Sequence, residues 1–109
     1  MNKSAKHPEC DATCPVRRAA RFIGLKWTTL IARDLLSGKK RYSELMKSVE
    51  GISPRLLTER LRELEAAGLV TRTVYPTVPP STDYELTELG MGFERVIQAM
   101  AVFGASLPE

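Results

Sequence analysis

The passage from "YSELMKSV" to "PRLLTERLREL" constrains this chain most, because one helical pattern ends and another begins with only "EGIS" between them. Ser43 is the predicted N-cap of the first helix and Gly51 its terminator. Ser53 caps the second, and Pro54, whose φ is preset and whose missing N–H costs nothing at that position, is its first residue. Two helices joined by so short a turn containing glycine have the outline of a helix-turn-helix.

The second of these helices has two chemically distinct sides. At 3.6 residues per turn, Leu57, Leu61 and Leu64 share one face and must meet a core. Arg55, Thr58, Glu59 and Arg62 lie opposite. That outer face opens with a proline-fixed N-terminus, free backbone N–H groups and an arginine, a set that suits a phosphate or a base edge. A plain solvated helix, knitted by pairs among Glu59, Arg62 and Glu63, is the competing reading. The neighbourhood favours DNA: Lys39, Lys40 and Arg41 precede the first helix of the pair, and Arg72 follows the second. On this reading the lysines contact phosphate. Glu59 fits only by accepting from a cytosine amino group or by pairing with Arg55 or Arg62.

The flanking segments complete an order of elements. "CPVRRAARFIG" presents Cys14 as a cap, Pro15 at the first helical position and Gly24 as a stop. In "KWTTLIARDLL", Trp27, Leu30, Ile31 and Leu35 recur at helical spacing, and Ser37-Gly38 closes the helix. "LVTRTVY" and "DYELT" read as two strands around "PTVPPST", whose prolines cannot join a ladder. Thr87 is the predicted cap of a last helix, with Leu89, Phe93, Val96, Ile97, Met100 and Phe103 on one stripe. The expected fold is mainly α with a small β-hairpin wing, a winged helix-turn-helix. Residues 1–13 are expected to form a flexible arm and residues 14–109 the domain.

Composition narrows the function further. In 109 residues there is room for one modest core. The net charge of +3 favours a polyanionic partner without requiring one. No apolar run is long enough to span a bilayer and no signal-like segment opens the chain, so a cytoplasmic location is expected.

"IGLKW", "RYSEL", "ISPRLLTERLRELEAAGLV" and "YPTVPPSTDYELTELG" together make the chain, from Cys14 to Gly104, resemble the HxlR family of bacterial winged-helix transcription regulators, relatives of the MarR type. The resemblance implies a homodimer built chiefly from the N- and C-terminal helices, with two recognition helices in successive major grooves of a near-palindromic operator. The half-sites of such a dimer lie about 34 Å apart. Carried over by position, the DNA-facing residues are Ser53, Pro54, Arg55, Thr58, Glu59 and Arg62, with wing contacts from Thr77 to Ser81. A long apolar stripe on the last helix is independently consistent with a dimer, since a monomer would leave Phe93, Ile97 and Met100 underburied. The stripe can equally serve to cover its own core.

In some members of the family a cysteine before the Pro-Val of the first helix senses oxidants, quinones or aldehydes, and here that position is Cys14. Its place at a helix N-terminus beside Arg17 and Arg18 favours a reactive thiolate, whereas a small buried hydrophobe is the other common fate of a free cysteine. Cys10 can close a small loop with Cys14, cross-link subunits or stand exposed on the arm. The two are the chain's only cysteines, so none in the helices can pair with Cys14. His7, Cys10 and Cys14 lack the paired short spacings of structural zinc, and no metal or cofactor is expected. His7 is the only histidine and has no placed nucleophile near it, and "GMGFER" lacks the setting of a dinucleotide loop. No enzyme is therefore expected. A winged helix used only for protein interaction remains the alternative to DNA binding.

Overall fold

A computed structural model describes residues 13–109, so Cys10, His7 and the arm assigned to residues 1–13 lie outside the described residues apart from Thr13. Helix α1 (Pro15–Ile23) leads into α2 (Lys26–Leu35). A two-residue strand, β1 (Lys40–Arg41), precedes α3 (Tyr42–Ser48) and α4 (Pro54–Ala66). The hairpin β2 (Val70–Tyr75) and β3 (Ser81–Leu86) follows, and α5 (Phe93–Ser106) closes the chain after a 3-10 turn at Gly90–Gly92. The fold is a winged helix-turn-helix.

The core forms where α2, α3 and α4 press against the root of the wing. Ile31, Leu35, Leu45, Val49, Leu57, Leu61, Leu64 and Val70 are essentially inaccessible to water, with Tyr84, Leu86 and Phe93 closing the wing side. Burying each of the three α4 leucines contributes roughly 1.5–3 kcal/mol before chain entropy is counted. Trp27 is half-buried against this cluster, as its helical spacing predicts, with the Lys26 ammonium 4.5 Å from its ring centroid.

The start of α4 follows the sequence reading: the Ser53 hydroxyl accepts from the Leu56 N–H at 3.1 Å, and Pro54 is the first helical residue. The start of α3 does not. Arg41, not Ser43, is its N-cap, and Glu44 accepts from the Arg41 N–H at 2.8 Å. The reason is β1, which pairs Lys40 with Tyr84 and Arg41 with Asp83. That pairing holds both residues extended, and the helix begins immediately after it. The sheet therefore has three strands in the order β1-β3-β2 rather than the two of a simple hairpin. At its other end α3 stops at Ser48, before Gly51, which instead makes the turn with φ +91°.

In the wing, Val70 faces Leu86 and Tyr75 faces Ser81, which leaves the prolines of the tip outside the ladder as expected. Thr87 caps a turn rather than α5 itself: its hydroxyl accepts from the Gly90 N–H at 3.0 Å and donates to the Gly68 carbonyl at 2.7 Å. At Gly90 any side chain would run into the Leu69 carbonyl, so the entry to α5 seats directly on the wing root.

Candidate nucleic-acid interface

Helix α4 presents its predicted outer face. Pro54, Arg55, Thr58, Glu59 and Arg62 line one shallow concavity along its N-terminal half, while Leu57, Leu61 and Leu64 hold the opposite side in the core. Fewer backbone donors remain at the helix start than the sequence suggests. Pro54 has none, the Leu56 N–H goes to the Ser53 hydroxyl and the Leu57 N–H to the Ser53 carbonyl.

The ion pairs also differ from expectation. Glu59 pairs with Arg60 at 3.8 Å, not with Arg55 or Arg62, and Arg60 also holds Glu63 at 3.1 Å. Arg60 lies on the flank of the helix, its side chain only 19% exposed, so it reaches both carboxylates from beside the core. Its hydrogen bonds to Glu63 therefore replace the predicted Glu59, Arg62 and Glu63 pairs. Among the described residues no ion pair engages Arg55 or Arg62, and both are exposed. Two uncompensated guanidinium groups thus flank Thr58 and Glu59.

A second concavity runs between the start of α3 and the wing tip. Arg41, Tyr42 and Ser43 form one wall, and Thr77 to Thr82 the other. Of the predicted wing contacts, Thr77 turns its hydroxyl onto the Pro79 carbonyl at 2.7 Å, and Ser81 is half-buried at the start of β3. The other cations are less free than their sequence suggests. Lys40 is half-buried and donates to the Ser37 hydroxyl at 2.8 Å, while Arg72 meets Glu65 at 3.5 Å at the root of the wing. Lys39 and Arg41 are exposed. Burial pushes the Tyr84 hydroxyl above the ordinary tyrosine pKa, with the nearby Arg72 cation pulling weakly the other way.

Tyr42 has no role assigned to it in the sequence reading. Its hydroxyl lies 3.1 Å from the Pro54 carbonyl oxygen and 3.1 Å from Thr58 Oγ1, so it joins the two concavities. No local signal could have identified it, since its partners lie twelve and sixteen residues away.

Cys14 caps α1 without a side-chain hydrogen bond and is 2% exposed. Arg17, Arg18 and Arg21 lie exposed along the same helix, no residue of which is buried. No group of metal-ligating side chains occurs among the described residues, and no helix among them is long and apolar enough to cross a membrane.

A helix-turn-helix followed by a two-stranded wing and flanked by terminal helices defines the winged-helix class of transcription regulators. Residues 22–109 match the HxlR-like helix-turn-helix family, and the chain belongs to it. Among relatives, the HTH-type transcriptional regulator YtcD of Bacillus subtilis strain 168 is 42% identical over 106 residues, 97% of this chain and 79% of that one. Among solved structures, the redox regulator HypR in its oxidized form superposes with a TM-score of 0.80 at 41% identity, covering 88% of this chain and 99% of that one. The reduced form of the transcriptional regulator YodB from B. subtilis gives a TM-score of 0.75 at 36% identity, over 88% and 95% of the two chains.

Proposed function

We propose that this protein binds a near-palindromic DNA operator as a homodimer in the cytoplasm and regulates transcription there. The observation that carries this reading is the outer face of α4, where Arg55 and Arg62 have no carboxylate partner among the described residues and line a concavity on a helix whose other face is sealed in the core. A helix about 10–12 Å across fits a major groove about 12 Å wide. Arg55, Thr58, Glu59 and Arg62 then face base edges, and Ser53 and Pro54 approach the backbone. Lys39, Lys40, Arg41, Arg72, Thr77 and Ser81 line the phosphate path on either side.

The dimer reading is supported by apolar surface. Val16 on α1 is 76% exposed, and Val102 and Phe103 on α5 are 74% and 65% exposed. A second copy that covers these helices would bury them and set the distance between recognition helices.

Cys14 is the proposed switch. Two of the matched structures concern proteins studied in defined redox states, HypR as a redox regulator in its oxidized form and YodB in its reduced form. Cys14 is buried at the N-terminus of α1, so an oxidant or electrophile that adds atoms to its sulfur needs room that the closed packing does not offer, and a shift of α1 to provide it would alter the dimer geometry.

The test is fluorescence anisotropy on DNA flanking the protein's own gene against scrambled DNA, across a salt series. Tight binding to the flanking DNA alone, weakening steeply with salt, is expected. Binding that is indifferent to Arg55 and Arg62 substitution would instead indicate a protein-interaction module. A Cys14→Ser variant is expected to lose any response of DNA affinity to a thiol oxidant, and an unchanged response would rule out the switch.

A further inference from the structure

Tyr42 stands at the first position of α3, and its phenol reaches across the turn to α4. The Tyr42 oxygen is 3.1 Å from the Pro54 carbonyl oxygen and 3.1 Å from Thr58 Oγ1. A carbonyl can only accept, so the single phenol proton goes to Pro54. In the contact with Thr58 either oxygen can donate by geometry alone; with the phenol proton engaged at Pro54, it is the Thr58 hydroxyl that completes it by donating to the Tyr42 oxygen. A threonine hydroxyl carries one hydrogen. With that hydrogen directed inward, Thr58 offers only lone pairs outward.

Thr58 also lines the outer concavity of α4 together with Arg55, Glu59 and Arg62. An unrestrained threonine hydroxyl rotates to donate or accept and so discriminates poorly between base edges. A restrained one has a single polarity.

We propose that Tyr42 is a specificity-determining positioning residue that fixes Thr58 as a hydrogen-bond acceptor. The operator position beneath Thr58 then carries an exocyclic amino group, N6 of adenine or N4 of cytosine, on the strand it faces. The polar groups that guanine (O6 and N7) and thymine (O4) present in the major groove are acceptors, and would meet an acceptor with an acceptor. The inference rests on the DNA-reading role of α4 and adds the base class that one side chain selects. It also gives every polar side chain of the concavity a fixed sign: Arg55 and Arg62 donate, while Glu59 and Thr58 accept.

The test is selection from random duplexes by the wild type and by Tyr42→Phe, Thr58→Val and Thr58→Ser, followed by anisotropy on duplexes that differ only at the affected position. Thermal melts verify that each variant is folded. The wild type is expected to favour adenine or cytosine over guanine or thymine at one position per half-site by about ten-fold. Tyr42→Phe should reduce that preference below about two-fold, because the freed Thr58 hydroxyl can then donate as well as accept. Thr58→Val should abolish the preference and Thr58→Ser should retain it. Equal weakening on all duplexes by Tyr42→Phe, with the preference intact, would overturn the assignment and leave a structural role only. So would a wild-type preference for guanine or thymine at the position that Thr58→Val alters. A wild type that enriches no sequence would defeat the operator reading itself, an outcome visible before any variant is examined.

Discussion

Helices α4 and α5 are of similar length, 13 and 14 residues, yet they expose opposite chemistries. On α4 the buried face is fully apolar and the exposed face carries arginines, glutamates and a threonine. On α5 only Phe93 is buried, Ile97 packs partly against the core, and Met100, Val102 and Phe103 face outward. A polar face with uncompensated cations gains by meeting a polyanion, because releasing counterions from DNA drives the association. An apolar face gains nothing from DNA and loses in water, so it calls for another protein surface. The two helices therefore suit different partners, and the same small core supports both.

Four variants test that contrast, taken from the largest expected effect to the smallest. Leu61→Ala on the inner face of α4 should cost about 2–5 kcal/mol in a denaturant melt, since the side chain is 1% exposed and the cavity cannot drain to solvent. The double substitution Arg55→Ala and Arg62→Ala should leave stability nearly unchanged and weaken specific DNA binding by roughly 1–3 kcal/mol per arginine, with a shallower salt dependence in anisotropy. If it unfolded the protein instead, the two faces of α4 would not be separable. Phe103→Glu should yield a folded monomer in sedimentation, because the residue is 65% exposed and outside the core. A dimer that survived would place the interface elsewhere. Ser53→Ala, which removes the cap on Leu56, should cost about 1 kcal/mol of stability and a comparable share of DNA affinity.

The stripe predicted for the last helix illustrates how far periodicity reaches. Spacing correctly put Phe93, Ile97 and Met100 on one side, but it treated them as alike. In the structure Phe93 is in the core, Ile97 is half-buried and Met100 is 39% exposed. The helix diverges from the body as it runs, so burial falls along its length. No residue pattern encodes that angle. It is set by the docking of the helix entry, where Gly90 lies against the Leu69 carbonyl.

The cationic run "KKR" carries a related lesson. Its charge is plain in the sequence and suggests a cluster of cations for DNA, with the lysines on phosphate. The structure divides them: Lys40 binds Ser37, Arg41 caps α3 and faces the wing, and Lys39 is exposed. A two-residue strand has no period to detect, and it becomes visible only when β3 arrives from some forty residues downstream to pair with it.

The sequence by itself determined the helix-turn-helix, the buried and exposed faces of α4, the wing and the family, because caps, proline positions and apolar spacing act within a few residues along the chain. Only the tertiary structure decided which carboxylate holds which arginine, that Arg41 replaces Ser43 as a cap, and that the Tyr42 hydroxyl meets both Pro54 and Thr58. Those outcomes depend on side chains brought within about 3 Å from different elements, a distance at which hydrogen bonds form and which local pattern does not specify.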